Sequence, residues 1–251
     1  MNLDLTGKRA LVCGSSQGIG KAAAMELALM GASITLVARN EERLLKVIEH
    51  LPADDTESHH YLVVDFNYPD QLKSAIDHYL KDHSIDILVN NTGGPPGGQA
   101  IDALPESYIK AFNSHLICNQ ILVQAITPSM KKEGFGRIIN VISTSVKTPL
   151  AGLGVSNTIR GAVASWSKTL SAELGPFGIT VNNVGPGYTA TDRLKELAAQ
   201  AGRHVTWLGH SGYLETKYDK YLSKGVDIAH DQRFTNAPRW TGGASVIVDI
   251  P

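Results

Sequence analysis

Three glycines at fixed spacing are the first residues in the chain that suggest a chemistry. The segment Cys13-Gly14-Ser15-Ser16-Gln17-Gly18-Ile19-Gly20 closes a short apolar run, Arg9 to Cys13, and leads directly into the helix-forming stretch Lys21 to Leu29. Gly14, Gly18 and Gly20 permit a tight strand-to-helix turn. In it the backbone N–H groups, including those near Ser16 and Ile19, approach a pyrophosphate under the positive end of the helix. A glycine-rich turn without any ligand has the same composition, so the reading rests on the position of the turn, between a first strand and a first helix. The second apolar run ends about 20 residues on, where an acidic side chain would hold the ribose hydroxyls of NAD. The chain instead has Ala38 and then Arg39. A guanidinium fork suits a 2′-phosphate, so NADP is the expected cofactor, ahead of NAD. The alternative for Arg39 is a solvated side chain opening the helix from Asn40, paired with Glu41 or Glu42. Asp65, at the end of a third run, has two roles open to it: accepting from an adenine amino group or capping the next helix.

Composition bounds what such a site can belong to. The chain has 251 residues, 43% of them hydrophobic and 19% charged, a formal net charge of -1 and two cysteines. One domain over 1–251 is expected, with a divergent substrate-lid or oligomer-contact region at 192–240. A chain this long buries roughly 70 to 75% of its extended surface and needs neither disulfides nor a structural metal. Cys13 and Cys118 stand in apolar surroundings without CxxC spacing, which suits buried thiols in a reducing compartment. Twenty-three basic residues against 24 acidic ones, with no basic cluster, argue against nucleic acid and anionic membrane as partners. No apolar stretch is long enough to span a bilayer, and Met1-Asn2-Leu3-Asp4-Leu5 lacks the pattern of a signal peptide. The expectation is a cytoplasmic protein that acts on a small molecule.

The elements that must position these residues alternate along the chain. Apolar runs at Arg9 to Cys13, Ile34 to Ala38, Tyr61 to Val64, Ile85 to Asn90, Ile138 to Ser143, Thr180 to Val184 and Ser245 to Asp249 give seven candidate strands. Helical patterns lie between them at Ile19 to Met30, Glu41 to Leu51, Pro69 to Lys81, Pro105 to Lys132 and Ser156 to Leu174, several opening with proline or a capping residue. This is the order of βαβ units on a parallel sheet covered on both faces. From Leu194 to Trp240 the pattern is polar and irregular and reads as a helical or loop excursion.

Several segments resemble, in chain order from about Leu5 to Thr191, the short-chain dehydrogenase/reductase family. They are the Gly14/Gly18/Gly20 spacing, Asp65, Asn90-Asn91-Thr92-Gly93, the run Gly136 to Ser143, and Gly185-Pro186-Gly187-Tyr188-Thr189-Ala190-Thr191. The 3-oxoacyl-carrier-protein reductase-like branch is the nearest in flavour. The resemblance implies an α/β fold, a Rossmann-type doubly wound parallel seven-stranded sheet with helices on both faces, together with nicotinamide chemistry and a homotetramer. It also implies that backbone near Asn90 and Gly93 lines the adenosine side and that Pro186, Gly187 and Thr191 contact nicotinamide. Ordinary strand-end turns use the same glycines and prolines, and it is their order that favours the functional reading.

The family's catalytic constellation is an asparagine in the long helix, a serine after strand five, and a tyrosine and a lysine one helical turn apart. Here Ser143 alone matches. Thirteen residues back from Pro128 stands His115, and 13 forward from Ser143 stands Ser156, with Arg160 four further on; residues 151–163 contain no tyrosine. Ser143, at the carboxyl end of a central strand, is placed to face the ligand crevice or to satisfy backbone groups. A serine at 156 is a far weaker acid than tyrosine and shorter by a ring, so it positions a water or a substrate oxygen. Arg160 keeps its charge and can hold ribose hydroxyls or a substrate carboxylate. His115 titrates near neutrality and could relay the missing proton, or it is a satisfied buried imidazole. Tyr188 is a further candidate near nicotinamide, or an aromatic lid. His204, Trp207, His210, His230 and Asp231 do not fall at zinc-ligand spacing and suit a lid or a subunit contact.

Three function classes follow. The first is an NADP-dependent oxidoreductase acting on a carbonyl or hydroxyl compound with an unconventional proton donor. The second, favoured by the missing tyrosine, is a nucleotide-binding sensor or scaffold that has lost turnover. The third is a dehydratase or lyase built on the same crevice.

Overall fold

The computed structural model describes residues 3–52, 58–187, 189 and 191–200, and the backbone of the strand segments 205–213, 222–223, 226–227 and 240–248. They belong to two compact units, Met1–Arg193 and Leu194–Pro251.

The first unit is a parallel sheet whose strands are β1 (Arg9–Cys13), β2 (Ser33–Ala38), β3 (His60–Val63), β4 (Ile87–Asn90), β5 (Gly136–Val141) and β6 (Ile179–Val184), in the spatial order β3-β2-β1-β4-β5-β6. The chain winds outward one way from β1 and then the other way from β4, so the crevice beyond the carboxyl ends of these two strands is where an α/β sheet offers a ligand site. The side chains of β1 explain why its sequence is continuously apolar after the exposed Arg9. Leu11 and Cys13 point into one core with Leu72, Ile76, Leu122 and Ile126, while Ala10 and Val12 point into a second core with Ala24, Ile34, Leu36 and Leu44. Both faces are covered, and alternation gives way to an unbroken run.

Helices α1 (Gly18–Leu29) and α2 (Glu41–Ile48) supply the second core, and α3 (Pro69–Tyr79), α5 (Cys118–Glu133) and α6 (Gly154–Leu174) the first. The Pro105 to Lys132 pattern is not one regular helix. It divides into α4 (Pro105–Phe112), a single π-helical turn at Asn113–Ile117 and α5, which ends on left-handed Gly134. A π turn carries one extra residue per turn, re-aims the side chains it contains, and is often found at functional sites. His115 lies in it.

The sheet of this unit has six strands rather than seven. The run expected as a seventh parallel strand, Ser245 to Asp249, falls in β10 (Trp240–Val248), which pairs antiparallel with β7 (Val205–Tyr213) in the second unit. An apolar run states that a strand is buried and is silent about its partner. The excursion expected from Leu194 likewise contains α7 (Asp192–Gln200), β7 and the short antiparallel pair β8 (Leu222–Ser223) and β9 (Val226–Asp227). Among the described residues no helix is long and apolar enough to cross a membrane.

Candidate active site

The turn after β1 is built by steric necessity. Gly14 and Gly18 have φ of 59° and 57°, in the left-handed region that favours glycine. A Cβ at Gly14 would lie 2.2 Å from the Asn91 carbonyl oxygen, and one at Gly20 would lie 2.3 Å from the Gly14 carbonyl oxygen. The Asn91 Nδ2 donates to the carbonyls of Cys13 and Gly14 at 3.3 and 3.4 Å, which ties the end of β4 to the turn. Ser15 is fully buried and its Oγ accepts from the Val37 N–H at 3.0 Å, extending the β1–β2 pairing past the strands. Helix α1 begins at Gly18 without a side-chain cap on Gln17 and without an acidic residue in its first turn. Its leading N–H groups and positive end are left for an anion, with half-buried Ser16 and Ile19 alongside. A Cβ at Gly18 would come to 3.3 Å from Thr191 Cγ2, so the structure brings Thr191 onto this turn.

Arg39 is exposed at the end of β2. Arg43, which the sequence reading passed over, reaches the same turn: its Nη1 donates to Gln17 Oε1 at 2.6 Å. Its backbone N–H is held by the Asn40 side chain, which caps α2. Asp65 does not cap α3. Its Oδ1 accepts from Asn67 N and Nδ2 at 2.9 and 2.8 Å, and the helix starts after Tyr68 instead. Cys13 and Cys118 are both buried free thiols. Burial pushes each up, Cys118 to about 12 with Asp65 adding to the shift.

The second half of the site forms where β4, β5 and α6 meet. The side chain of Asn90 lies inside the sheet, its Nδ2 donating to Asn140 Oδ1 at 2.8 Å, while its Oδ1 is buried with no hydrogen-bond partner among the described residues; Asn140 in turn donates to Ser167 Oγ at 2.9 Å. His115 is 2% exposed and its Nδ1 shares a 2.5 Å hydrogen bond with Thr92 Oγ1. Burial and then the Arg160 charge push its pKa down to about 3, against an opposing backbone hydrogen bond at Gly93. The imidazole is neutral at neutral pH. Ser143 opens a short 3₁₀ turn, Thr144–Val146, and its Oγ accepts from the Ser145 N–H at 3.0 Å, leaving the hydroxyl hydrogen to donate elsewhere. The Thr144 N–H donates to the Pro186 carbonyl at 3.1 Å, and a Cβ at Gly187 would be 3.9 Å from Thr144 Cγ2. Pro186 and Gly187 thus sit beside the serine turn. Arg160 donates from Nη1 to the Val141 carbonyl at 2.8 Å, at the end of the same strand, and burial lowers its pKa only to about 10, so it stays charged. Ser156 is half-buried in the first turn of α6, one turn before Arg160. Tyr188 and the side chains of His204, Trp207, His210, His230 and Asp231 lie outside the described residues.

Asn91, Ser15, Thr92, Arg43 and Arg193 are the residues the sequence reading left without a role. Asn91 and Thr92 stand inside a segment already singled out. Arg43 and Arg193 make contacts across 26 and 98 positions, which no local pattern signals.

A doubly wound sheet with a glycine-built, uncapped helix start at its switch point defines a nucleotide-binding α/β protein. The short chain dehydrogenase family model matches residues 8–202, and the chain belongs to that family. The 3-oxoacyl-acyl-carrier-protein reductase FabG of Haemophilus influenzae is 34% identical over 194 residues, covering 77% of this chain and 78% of that protein. The NADPH-dependent reductase BacG of Bacillus subtilis is 29% identical over 191 residues, 75% of this chain and 74% of that one. Among solved structures, L-sorbose reductase from Gluconobacter frateurii, complexed with NADPH and L-sorbose, superimposes with a TM-score of 0.75 at 30% identity, over 80% of this chain and 77% of that one.

Proposed function

We propose that the chain is an NADP-dependent oxidoreductase that moves a hydride between nicotinamide and a small carbonyl or hydroxyl compound, with Ser156 and Arg160 in the places the family gives to tyrosine and lysine. The observation that carries this reading is the turn after β1, where a Cβ is excluded at Gly14 and Gly20, Gly18 stands at a φ of 57°, and the helix start they open onto is uncapped. These residues fit a dinucleotide: N–H groups for the pyrophosphate, Arg39 and Arg43 flanking the turn for a 2′-phosphate, and Thr191, Pro186 and Gly187 on the side where the ring would lie. Relatives described as NADPH-dependent or complexed with NADPH support the choice of phosphate form. When bound, the nucleotide supplies the hydride to the carbonyl carbon or takes it from the carbinol.

The chain's own residues then have to hold the oxygen and deliver a proton to it. Ser143 accepts from Ser145 and so has its hydroxyl hydrogen to donate to the substrate oxygen. In the reductive direction a water held by the Ser156 hydroxyl gives its proton to the substrate oxygen, and solvent returns a proton to the hydroxide that is left. His115, neutral and bonded to Thr92, is a positioning residue that holds the Thr92–Gly93 segment. The assembly is a homotetramer, as the family resemblance implies.

The test is titration with NADPH and NADH by fluorescence, followed by absorbance assays with ketones, aldehydes and 3-oxoacyl thioesters. The reading requires uptake of NADPH and turnover with at least one carbonyl compound. Ser143→Ala should cut kcat about 10- to 100-fold and leave NADPH affinity unchanged. The serine at 156 favours a second reading, a nucleotide-binding sensor or scaffold. Tight NADPH uptake with no turnover across the panel would establish it in place of the first.

A further inference from the structure

Strand β3 lies at the edge of the sheet, and a side chain supplies the rung that precedes its first backbone pair. The β2–β3 ladder opens with Thr35 opposite His60. One residue earlier on β2, the Ile34 N–H donates to His59 Nδ1 at 3.0 Å. The other nitrogen of that half-buried ring, Nε2, meets the Pro52 carbonyl at 2.8 Å. A carbonyl only accepts, so Nε2 carries the hydrogen and Nδ1 the lone pair. The ring is neutral, in one tautomer, with both nitrogens in use.

Further imidazoles crowd this end of the sheet. The His60 ring stands edge-on to Tyr79 and His83, with centroids 6.1 and 4.9 Å away, and His83 stacks on Tyr79 at 4.2 Å. Tyr79, at the end of α3, is fixed to β2 by a 2.7 Å hydrogen bond between its hydroxyl and Thr35 Oγ1. With His59, Tyr61, His78 and Asp82 these rings line a cavity of about 350 Å³, in which Asp82 is the carboxylate. Burial, and then the charges of His83, His59 and Arg9 on β1, hold the His60 imidazole below its usual range. Positive charge arriving here is opposed by its neighbours. We propose that His59 is a proton-operated latch on the edge strand: its neutral ring clips the entry of β3 to Ile34 and Pro52, and a proton taken from solvent onto Nδ1 releases it. That proton turns an acceptor into a donor facing another donor, the Ile34 N–H. A released ring takes its proton near the ordinary value of about 6.5, so release gains about tenfold for each pH unit below that. The latch is closed above this pH and loosens as pH falls. It is independent of the hydride chemistry proposed above.

The experiment is amide hydrogen exchange and nitrogen NMR on the full chain between about pH 7 and about pH 5. At the upper pH the His59 ring should show a protonated Nε2 and a bare Nδ1. The protection factor of the Ile34 amide should fall about 10- to 30-fold on going to the lower pH. Its exchange should not respond to low urea, as for a local opening. His59→Asn offers an Oδ1 close to the place of Nδ1 and does not titrate, so its Ile34 protection should change by less than about threefold over the same range. His59→Ala, with no acceptor, should lower that protection about 3- to 10-fold already at the upper pH. His78→Asn, at an exposed ring of the same cavity, should respond to pH as the unaltered protein does. Equal falls in the unaltered protein and in His59→Asn overturn the proposal, because another group then moves the strand. So does an Ile34 amide whose protection is constant across the range, or a proton on His59 Nδ1 while that amide stays protected. Urea-sensitive exchange at Ile34 overturns it too, since the release would then be that of the whole fold.

Discussion

The glycine-turn half of the crevice and the β5–α6 half are built under different constraints. Around β1 and α1 only a hydrogen fits: a Cβ at Gly14 would meet the Asn91 carbonyl oxygen at 2.2 Å, and one at Gly20 the Gly14 carbonyl oxygen at 2.3 Å. Around β5 and α6 the backbone holds Ser143 and Arg160 by single hydrogen bonds, to Ser145 and Val141, and nothing comparable dictates which side chain stands at 156. Steric constraint therefore limits which residues can stand in the glycine turn, whereas the contacts around β5 and α6 set no comparable limit on the side chain at 156.

The largest expected effect tests the constrained half. Gly14→Val forces a branched Cβ into the Asn91 carbonyl at a positive φ, and should abolish NADPH uptake and cost stability by about 1–3 kcal/mol or more, seen as a lowered Tm. If the variant bound normally, the turn would not be the tightly fitted element described here. The opposite half is tested by gain. The double change Ser156→Tyr with Arg160→Lys should raise kcat by about tenfold or more, because a phenol beside an ammonium is a better proton donor than a serine-held water. A double variant that folds, binds NADPH and gains nothing would mean that this half differs in backbone geometry and not only in side chains.

Smaller effects sharpen the division. Arg39→Ala and Arg43→Ala should each weaken NADPH by about tenfold and leave NADH unchanged, in paired titrations. His115 should show itself through pH. Its folded pKa of about 3 lies below the ordinary 6.5, so the unfolded chain binds the proton first as pH falls. Stability from this group is complete above about pH 6.5 and is lost progressively toward pH 3, at about 1.4 kcal/mol per pH unit. Denaturant titrations of His115→Asn should show a shallower acid slope than the unaltered protein. The kcat profile near pH 6.5 should show no His115 step.

Much of the frame was legible because local rules decide it. The run Arg9 to Cys13 is β1 to the residue, since a strand buried on both faces is apolar along its buried length, here Ala10 to Cys13. The glycine turn was legible for a related reason, as backbone demand leaves one residue type. What stayed hidden depends on partners far along the chain. The run at Ser245 announced a strand but not the antiparallel neighbour it takes in β7. The π turn at His115 keeps the helical apolar pattern and so leaves no trace in it. Asp65 looks like a helix cap until Asn67 is seen to occupy its oxygen. The clamp of Asn91 on Gly14 spans 77 positions and the Arg193–Pro95 bond spans 98, distances at which only the folded chain can bring residues together.

Calorimetric titration of the full chain with NADPH and, separately, NADH bears most directly on the whole account. It should give one site per chain for NADPH, with NADH weaker by about tenfold or more. Heat from neither nucleotide, in a protein whose circular dichroism shows it folded, would contradict the assignment of the glycine turn as a pyrophosphate seat.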